Sequence, residues 1–260
     1  LGEITVFRIE NASGASVELS SLGAGINDIS VPDKDGKIEN VTLAYANPAD
    51  YIADGPCLGK IPGRYANRIA KGHLEVDGVE YKLNINNGQN ALHGGPTGFM
   101  NRIWNAEELS NGVRFTYRSA DGEENYPGNL TVVAEYRWSE DNVLTLNISA
   151  TADKPTVVNL TNHAYFNLDG ADKGSVLEHT MKINASKWLR IDETQIPTGE
   201  LAPVEETPMD FRKEKKIGAD IKADFEALNI GKGYDHCWVN DGWEKGKMLG
   251  EIVVLKAPNS

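Results

Sequence analysis

The segments VRFTYRS (residues 113–119), LTVVAEYRW (130–138) and VLTLNISA (143–150) decide the fold class of this chain. Each is short and rich in β-branched or aromatic side chains, which suit a pleated, half-buried backbone better than a helix. The joints between and beside them carry turn chemistry. Asn111-Gly112 can supply the positive φ angles of a tight turn, and SEDN (139–142) is a longer polar turn. Working outward, ITVFRI (4–9), ASVELSS (15–21), VTLAYA (41–46) and VEYKLNI (79–85) repeat the strand signal, and Asp77-Gly78 marks another hairpin. Many short strands at this spacing predict an all-β sandwich or barrel rather than alternating strands and helices. Helix is expected only as a turn or two near PADYIA (48–53) and within IKADFEAL (221–228). No fixed-period repeat and no Pro/Ser-rich linker divides the chain, so residues 1–260 are expected to form a single domain.

A chain of 260 residues can bury a sizeable core. Its formal net charge of -12 and pI of about 4.9 argue against a sequence-independent grip on nucleic acid or on an anionic membrane. The acidity reads as a contribution to solubility, and KEKK (213–216) as a solvated face. No apolar run approaches the ~18 residues that span a bilayer. The start of the chain shows no basic n-region followed by an apolar h-region, so the expected location is the cytoplasm. The chain does not begin with methionine, which leaves a removed leader open. Cys57 and Cys237 make no secreted disulfide framework, although a single bridge stays open. Cys237 follows Asp235 and His236, but no CxxC or HxxxH spacing supports a metal site, and none is expected.

The chemistry concentrates in NLTNHAYFNL (159–168), where His163 sits among Thr161, Asn162, Tyr165 and Asn167. Its alternation predicts a strand with one apolar and one polar face. A lone histidine in such a strand is more often a satisfied structural residue than a catalyst. Partners come from three other segments. GRYANRIAKG (63–72) carries Arg64, Asn67 and Arg68; NALHGGPTGF (90–99) carries His93 before Gly94-Gly95; GYDH (233–236) carries Asp235. In this order and at this spacing, the four motifs resemble the aldose 1-epimerase family, also called galactose mutarotases, over nearly the whole chain.

The resemblance implies a large twisted β-sandwich of mostly antiparallel strands, a galactose mutarotase-like supersandwich with an open cleft on one face. It also implies cofactor-independent interconversion of the α and β anomers of free hexoses such as galactose or glucose. That reaction needs a base for the C1 hydroxyl proton, an acid for the ring oxygen, and a grip on the remaining hydroxyls while the ring opens and recloses. Histidine suits the acid because its ordinary pKa, ~6.5, lets it give and recover a proton near neutrality. The resemblance gives the acid to His163 and places His93 near the ring oxygen as a hydrogen-bonding and electrostatic partner. It gives sugar binding to Asn67, Arg68 and Asp235, although Asp235 by itself reads equally well as a turn residue. Arg64 reads as a local ion-pairing or backbone-satisfying residue, and His73, His179 and His236 as structural. Trp104 and Phe166 are expected to pack, and Tyr126 to hold a turn. The expected partner is a small-molecule sugar, with no nucleic acid and no membrane; the sequence does not give an oligomeric state.

Two other readings stand beside this one. A non-catalytic carbohydrate-binding β-sandwich would keep Asn67, Arg68 and Asp235 but need neither histidine as acid. An epimerase for phosphorylated hexoses would want a basic cluster and finds only Arg64 and Arg68 near a motif. In the family the base is a glutamate that would fall beyond Ser260. Nothing in EIVVLKAPNS (251–260) matches that motif, and Glu251 reads as a strand-edge residue. The expectation is a C-terminally incomplete member that, expressed alone, is inactive because it lacks the base and poorly soluble because its sheets have open edges.

Overall fold

The computed structural model describes residues 2–52, 55–247 and 250–258. The chain divides into two compact units, residues 1–166 with 170–172, and residues 167–169 with 173–260. Both are built from β-strands, with little helix.

In the first unit the long strands form where their composition predicts. Leu130–Trp138 pairs antiparallel with Gly112–Ser119 on one side and Leu144–Ala152 on the other, and Asn105–Leu109 completes a four-stranded sheet. Burial along Leu130–Trp138 alternates without a break, so Leu130, Val132, Ala134, Tyr136 and Trp138 all face the core. A second four-stranded antiparallel sheet runs Val6–Glu10, Ser16–Ser20, Gly25–Pro32, Ile38–Asn40. Side chains of the two sheets meet at Phe7 and Phe115, with ring centroids 6.1 Å apart, and Phe115 packs in turn on Tyr136 at 6.0 Å. The polar tips of the buried aromatics find backbone acceptors. Tyr136 Oη donates to the Ala24 carbonyl at 2.8 Å and Trp138 Nε1 to the Ala15 carbonyl at 3.2 Å. Trp104 is buried as expected, edge-on to Phe99.

Several local expectations change. Asp77 and Gly78 do take positive φ (50° and 78°) in the hairpin between His73–Val76 and Val79–Lys82. Asn111-Gly112 does not supply such angles: the chain reverses at Ser110-Asn111 and Gly112 already pairs with Leu109. Gly112 is needed because a Cβ there would run into the Tyr136 carbonyl oxygen. VTLAYA makes only an isolated bridge, Thr42 to Phe166, and the pairing strand lies earlier, at Ile38–Asn40. The expected helical turns appear as a 3-10 helix at Pro48–Tyr51 and an α-helix at Glu226–Gly231.

The second unit holds two three-stranded antiparallel sheets. One is ordered Lys215–Lys216, Thr180–Ile183, Val253–Lys256, and the other Pro197–Pro203, Lys187–Ile191, Trp238–Val239. Its core gathers Trp188, Val204, Met209, Ala227 and Leu228, with Ile183, Ala185 and Phe211 in a second cluster. Among the described residues no helix is long and apolar enough to cross a membrane, which says nothing of strands. Cys57 is buried, Cys237 is exposed, and both are free.

Candidate functional site

The segment that carries His163 is not the strand its alternation predicts. Asn159 makes an isolated parallel bridge with Tyr65 and Phe166 one with Thr42, and no ladder joins them. Its backbone groups are satisfied one by one by loops. Asn159 N–H donates to the Arg64 carbonyl at 3.2 Å, and the Asn159 carbonyl accepts from Ala66 N–H at 2.8 Å. His163 N–H donates to the Lys60 carbonyl at 2.9 Å, and its carbonyl accepts from Gly59 N–H at 3.0 Å. Asn162 adds a side-chain brace: Nδ2 donates to the Gly59 carbonyl at 2.6 Å and to Tyr136 Oη at 3.1 Å, while Oδ1 accepts from Ala164 N–H at 2.9 Å. Without a ladder there is no two-sided burial, and Phe166, expected to pack, stands 45% exposed.

The two histidines come together from segments 70 residues apart in sequence. The His93 and His163 rings meet edge to face, 5.4 Å between centroids at 87°. Tyr165 lies on the other contact of His163, 5.0 Å away and tilted by 36°, with its hydroxyl donating to the Pro56 carbonyl at 3.0 Å. His93 has left-handed backbone, φ 53°, as does Asn67 at 68°. The two residues clasp each other. His93 N–H donates to the Asn67 carbonyl at 3.0 Å, and Asn67 N–H donates to His93 Nδ1, also at 3.0 Å. An Nδ1 that accepts a backbone N–H leaves the neutral ring's proton on Nε2. Gly94, φ 84°, follows directly; a Cβ there would overlap the Gly63 carbonyl, so only glycine lets the two motif loops approach this closely.

Charge favours the neutral form of His93. Burial, then the neighbouring His163 and Arg68, push its pKa down to about 4. Arg68 is half-buried; its Nε donates to Asn87 Oδ1 at 3.0 Å and its Nη1 to Asn67 Oδ1 at 3.3 Å. Asn67, Arg68, His93 and His163 therefore form one group: a pair of imidazoles beside a fork of guanidinium donors and an exposed amide.

Arg64 is a different kind of arginine. It is 1% exposed and donates through Nη1 to the Pro127 and Gly128 carbonyls at 2.7 and 2.9 Å. Through Nη2 it reaches Ser119 Oγ at 2.7 Å and the Ala120 carbonyl at 3.1 Å. Its guanidinium carbon lies 5.7 Å from the centre of the buried Tyr126 ring. Burial lowers its pKa, with Glu123 the foremost of the charges that oppose that shift. This is the backbone-satisfying role expected of it, and it ties the motif loop to the turn that holds Tyr126.

Residues 5–260 match the family model described as aldose 1-epimerase. The chain belongs to the aldose 1-epimerase family. It is 42% identical to galactose mutarotase of Sus scrofa over 235 residues, covering 90% of this chain and 67% of that protein. It is 44% identical to galactose mutarotase of Homo sapiens, covering 85% of this chain and 63% of that protein. Aldose 1-epimerase of Escherichia coli (strain K12) is 38% identical, with coverages of 94% and 70%. The chain thus spans about two thirds of the length of the curated relatives it matches. Among solved structures, an aldose epimerase homologue from C. elegans superposes with a TM-score of 0.85 at 30% identity, covering 99% of this chain and 77% of that one. Galactose 1-epimerase from Lactobacillus acidophilus NCFM gives 0.83 at 28% identity, covering 98% and 77%. The β-sandwich of this aldose 1-epimerase family member is accordingly the galactose mutarotase-like fold.

Asp235 lies in the second unit. It is exposed, its carboxylate accepts from Gln195 Nε2 at 3.4 Å, and its own N–H donates to His236 Nδ1 at 3.1 Å. His236 is half-buried against Trp188, their rings 5.3 Å apart, and burial lowers its pKa. His179 is fully buried and accepts the Leu168 N–H on Nε2 at 3.0 Å, while His73 is exposed at a strand start. Glu251 is exposed and pairs with Lys182 at 3.9 Å. Three residues that brace the group were not singled out by the sequence reading: Asn87, Asn162 as an anchor, and Tyr136. Only Asn87 carried a local signal, its Asn-Gly dipeptide just ahead of the His93 motif.

Proposed function

We propose that this chain carries the acid and sugar-binding side of an aldose 1-epimerase acting on free hexoses such as galactose or glucose. The observation that supports it best is the His93–His163 pair, edge to face at 5.4 Å beside Asn67 and Arg68. In this reading His163 gives its proton to the ring oxygen as the C1–O5 bond opens and takes it back on reclosure. His93, kept neutral, offers its Nε2–H to the same oxygen and stabilises the charge that develops there. Arg68 and Asn67 hold hydroxyls while rotation about C1–C2 presents the other face of the aldehyde. Among the described residues no carboxylate hydrogen-bonds to either histidine. The base is not assigned to one of them. The proposed setting is the cytoplasm, with no cofactor.

Arg64 bears on the phosphorylated-sugar alternative. Its guanidinium is spent on buried carbonyls, which leaves Arg68 alone at the motif and makes a phosphate site the weaker reading. The test is polarimetry on freshly dissolved α-D-galactose with His163→Asn introduced into the protein that carries this chain. Turnover should fall ~10²–10⁴-fold while sugar binding persists. Rates within a few-fold of the parent would remove His163 from the chemistry. Binding without any turnover in the parent itself would favour the lectin-like reading.

A further inference from the structure

The turn after Val79–Lys82 reads NNGQNAL (86–92), and its three asparagines each hold a different part of the site's frame. Asn86 pairs reciprocally with Leu92, the residue before His93: Nδ2 donates to the Leu92 carbonyl at 2.9 Å, and Leu92 N–H donates to Oδ1 at 2.7 Å. Asn90, 2% exposed, accepts the Lys71 N–H at 3.0 Å. Between them, Asn87 Oδ1 accepts Arg68 Nε–H at 3.0 Å.

Asn87 is itself firmly seated. It bridges Asn90 across a two-residue turn, with Asn87 N–H to the Asn90 carbonyl at 3.1 Å and Asn90 N–H to the Asn87 carbonyl at 2.9 Å. Gly88 takes φ 58° at the first central position, where a hairpin turn of this length favours glycine. The Arg68 end is anchored by backbone pairing of Arg68 with Leu92 in the short ladder that joins the two motif loops. A guanidinium is planar, so tying Nε–H at one edge fixes the plane in which the Nη donors lie. A long arginine side chain otherwise gives up rotamer freedom when it is ordered, and a fork ordered before the sugar arrives does not incur that loss on binding.

We infer that Asn87 is the positioning residue for Arg68: it holds the guanidinium plane ready, so that part of the affinity for sugar is set by a turn residue acting through Arg68. The inference rests on the proposed role of Arg68 as a sugar ligand, and its two halves can be tested apart. The first measurement needs no sugar. In the ¹⁵N-labelled protein that carries this chain, the Arg68 Nε–H should be rigid, with an order parameter near that of ordered backbone (~0.85), and should fall below ~0.6 in Asn87→Ala. Asn87→Asp keeps both an acceptor and a turn-forming residue and should restore the rigidity. A mobile Arg68 Nε–H in the unmutated chain, or one unchanged by Asn87→Ala, overturns the inference whatever the protein binds.

The second measurement is a double-mutant cycle on galactose affinity, by calorimetry, in the protein that carries this chain. Arg68→Ala should weaken binding by about tenfold, the scale of one hydrogen bond to a charged group. Asn87→Ala should weaken it by about three- to tenfold alone and leave it unchanged when Arg68 is already alanine. Additive losses would overturn the inference, because Asn87 would then act independently of Arg68. If Arg68→Ala leaves the affinity intact, the sugar-binding role of Arg68 fails instead, and the rigidity measurement still decides whether Asn87 positions it.

Discussion

Leu130–Trp138 and residues 159–168 both alternate in sequence, yet only the first is a ladder strand. In Leu130–Trp138 every residue up to Arg137 has a register partner on both sides, and alternate side chains reach the core. In 159–168 the backbone bonds go singly to Lys60, Gly59, Arg64 and Ala66, and the side chains follow no two-sided rule. The difference is one of what the backbone is paired with. A ladder repeats one hydrogen-bonding geometry and so fixes every residue equally. A segment pinned at separate points can aim one residue, here His163, independently of its neighbours. The sheet thus supplies rigidity, and the loop-built site borrows it through a few specific contacts.

The sharpest break of this comparison is a cavity in the sheet. Phe115 is fully buried between Phe7 and Tyr136. Phe115→Ala should cost about 3–5 kcal/mol of stability, read from urea unfolding, the usual range for removing a buried phenyl ring. The folded fraction of the variant should keep the parent's turnover per molecule, since Phe115 packs between Phe7 and Tyr136 in the sandwich core. A specific loss of turnover at unchanged stability would mean that the sheet is part of the site rather than its support.

Protonation probes the loop-built region alone. The His93 imidazole is held near pKa 4 in the folded chain by burial first, then by the neighbouring His163 and Arg68, against about 6.5 when unfolded. Between those values the unfolded chain binds more protons, so stability falls as pH drops through the window from 6.5 to 4 and is constant above it. The ceiling is about 3 kcal/mol, from 2.5 pKa units at ~1.36 kcal/mol each. His93→Gln should flatten that slope in unfolding measurements at pH 4.5, 5.5 and 7. An unchanged slope would show that His93 is accessible enough to charge freely, and that the clasp with Asn67 does not hold it neutral.

Legibility in the sequence follows the same division. The long strands could be read because their signal is local: β-branched and aromatic runs between turn residues, as in 113–119 and 130–138. VTLAYA shows the limit, since composition alone does not supply a pairing partner, and the ladder formed a few residues earlier at Ile38–Asn40. Asn67, Arg68, His93 and His163 could be named through the four motifs together, and the structure gathers all of them in the first unit. What could not be read was the bracing. Asn162 meets Gly59 across 103 residues and Tyr136 across 26, and Arg64 meets Gly128 across 64. Such partners have no periodicity and no spacing rule, because they are set by the tertiary fold and not by local sequence.

The smallest effect should come from a hydroxyl that touches both regions. Tyr136 Oη donates to the Ala24 carbonyl at 2.8 Å inside the sandwich and accepts from Asn162 Nδ2 at 3.1 Å, one residue before His163. Burial raises the phenol's pKa well above its ordinary value, so it remains a neutral donor throughout the working range. Tyr136→Phe keeps the ring packing and deletes only this link, leaving the Ala24 carbonyl without its donor. The expected cost is about 1 kcal/mol of stability, the net worth of a typical buried hydrogen bond. Asn162 keeps its bond to the Gly59 carbonyl and its acceptance from Ala164, so His163 should remain placed and turnover should change by no more than a few-fold. If turnover instead falls far more than stability does, the aim of His163 depends on this single contact with the sheet. The loop segment would then owe its placement to the ladder directly, and the separation drawn between the two regions would collapse.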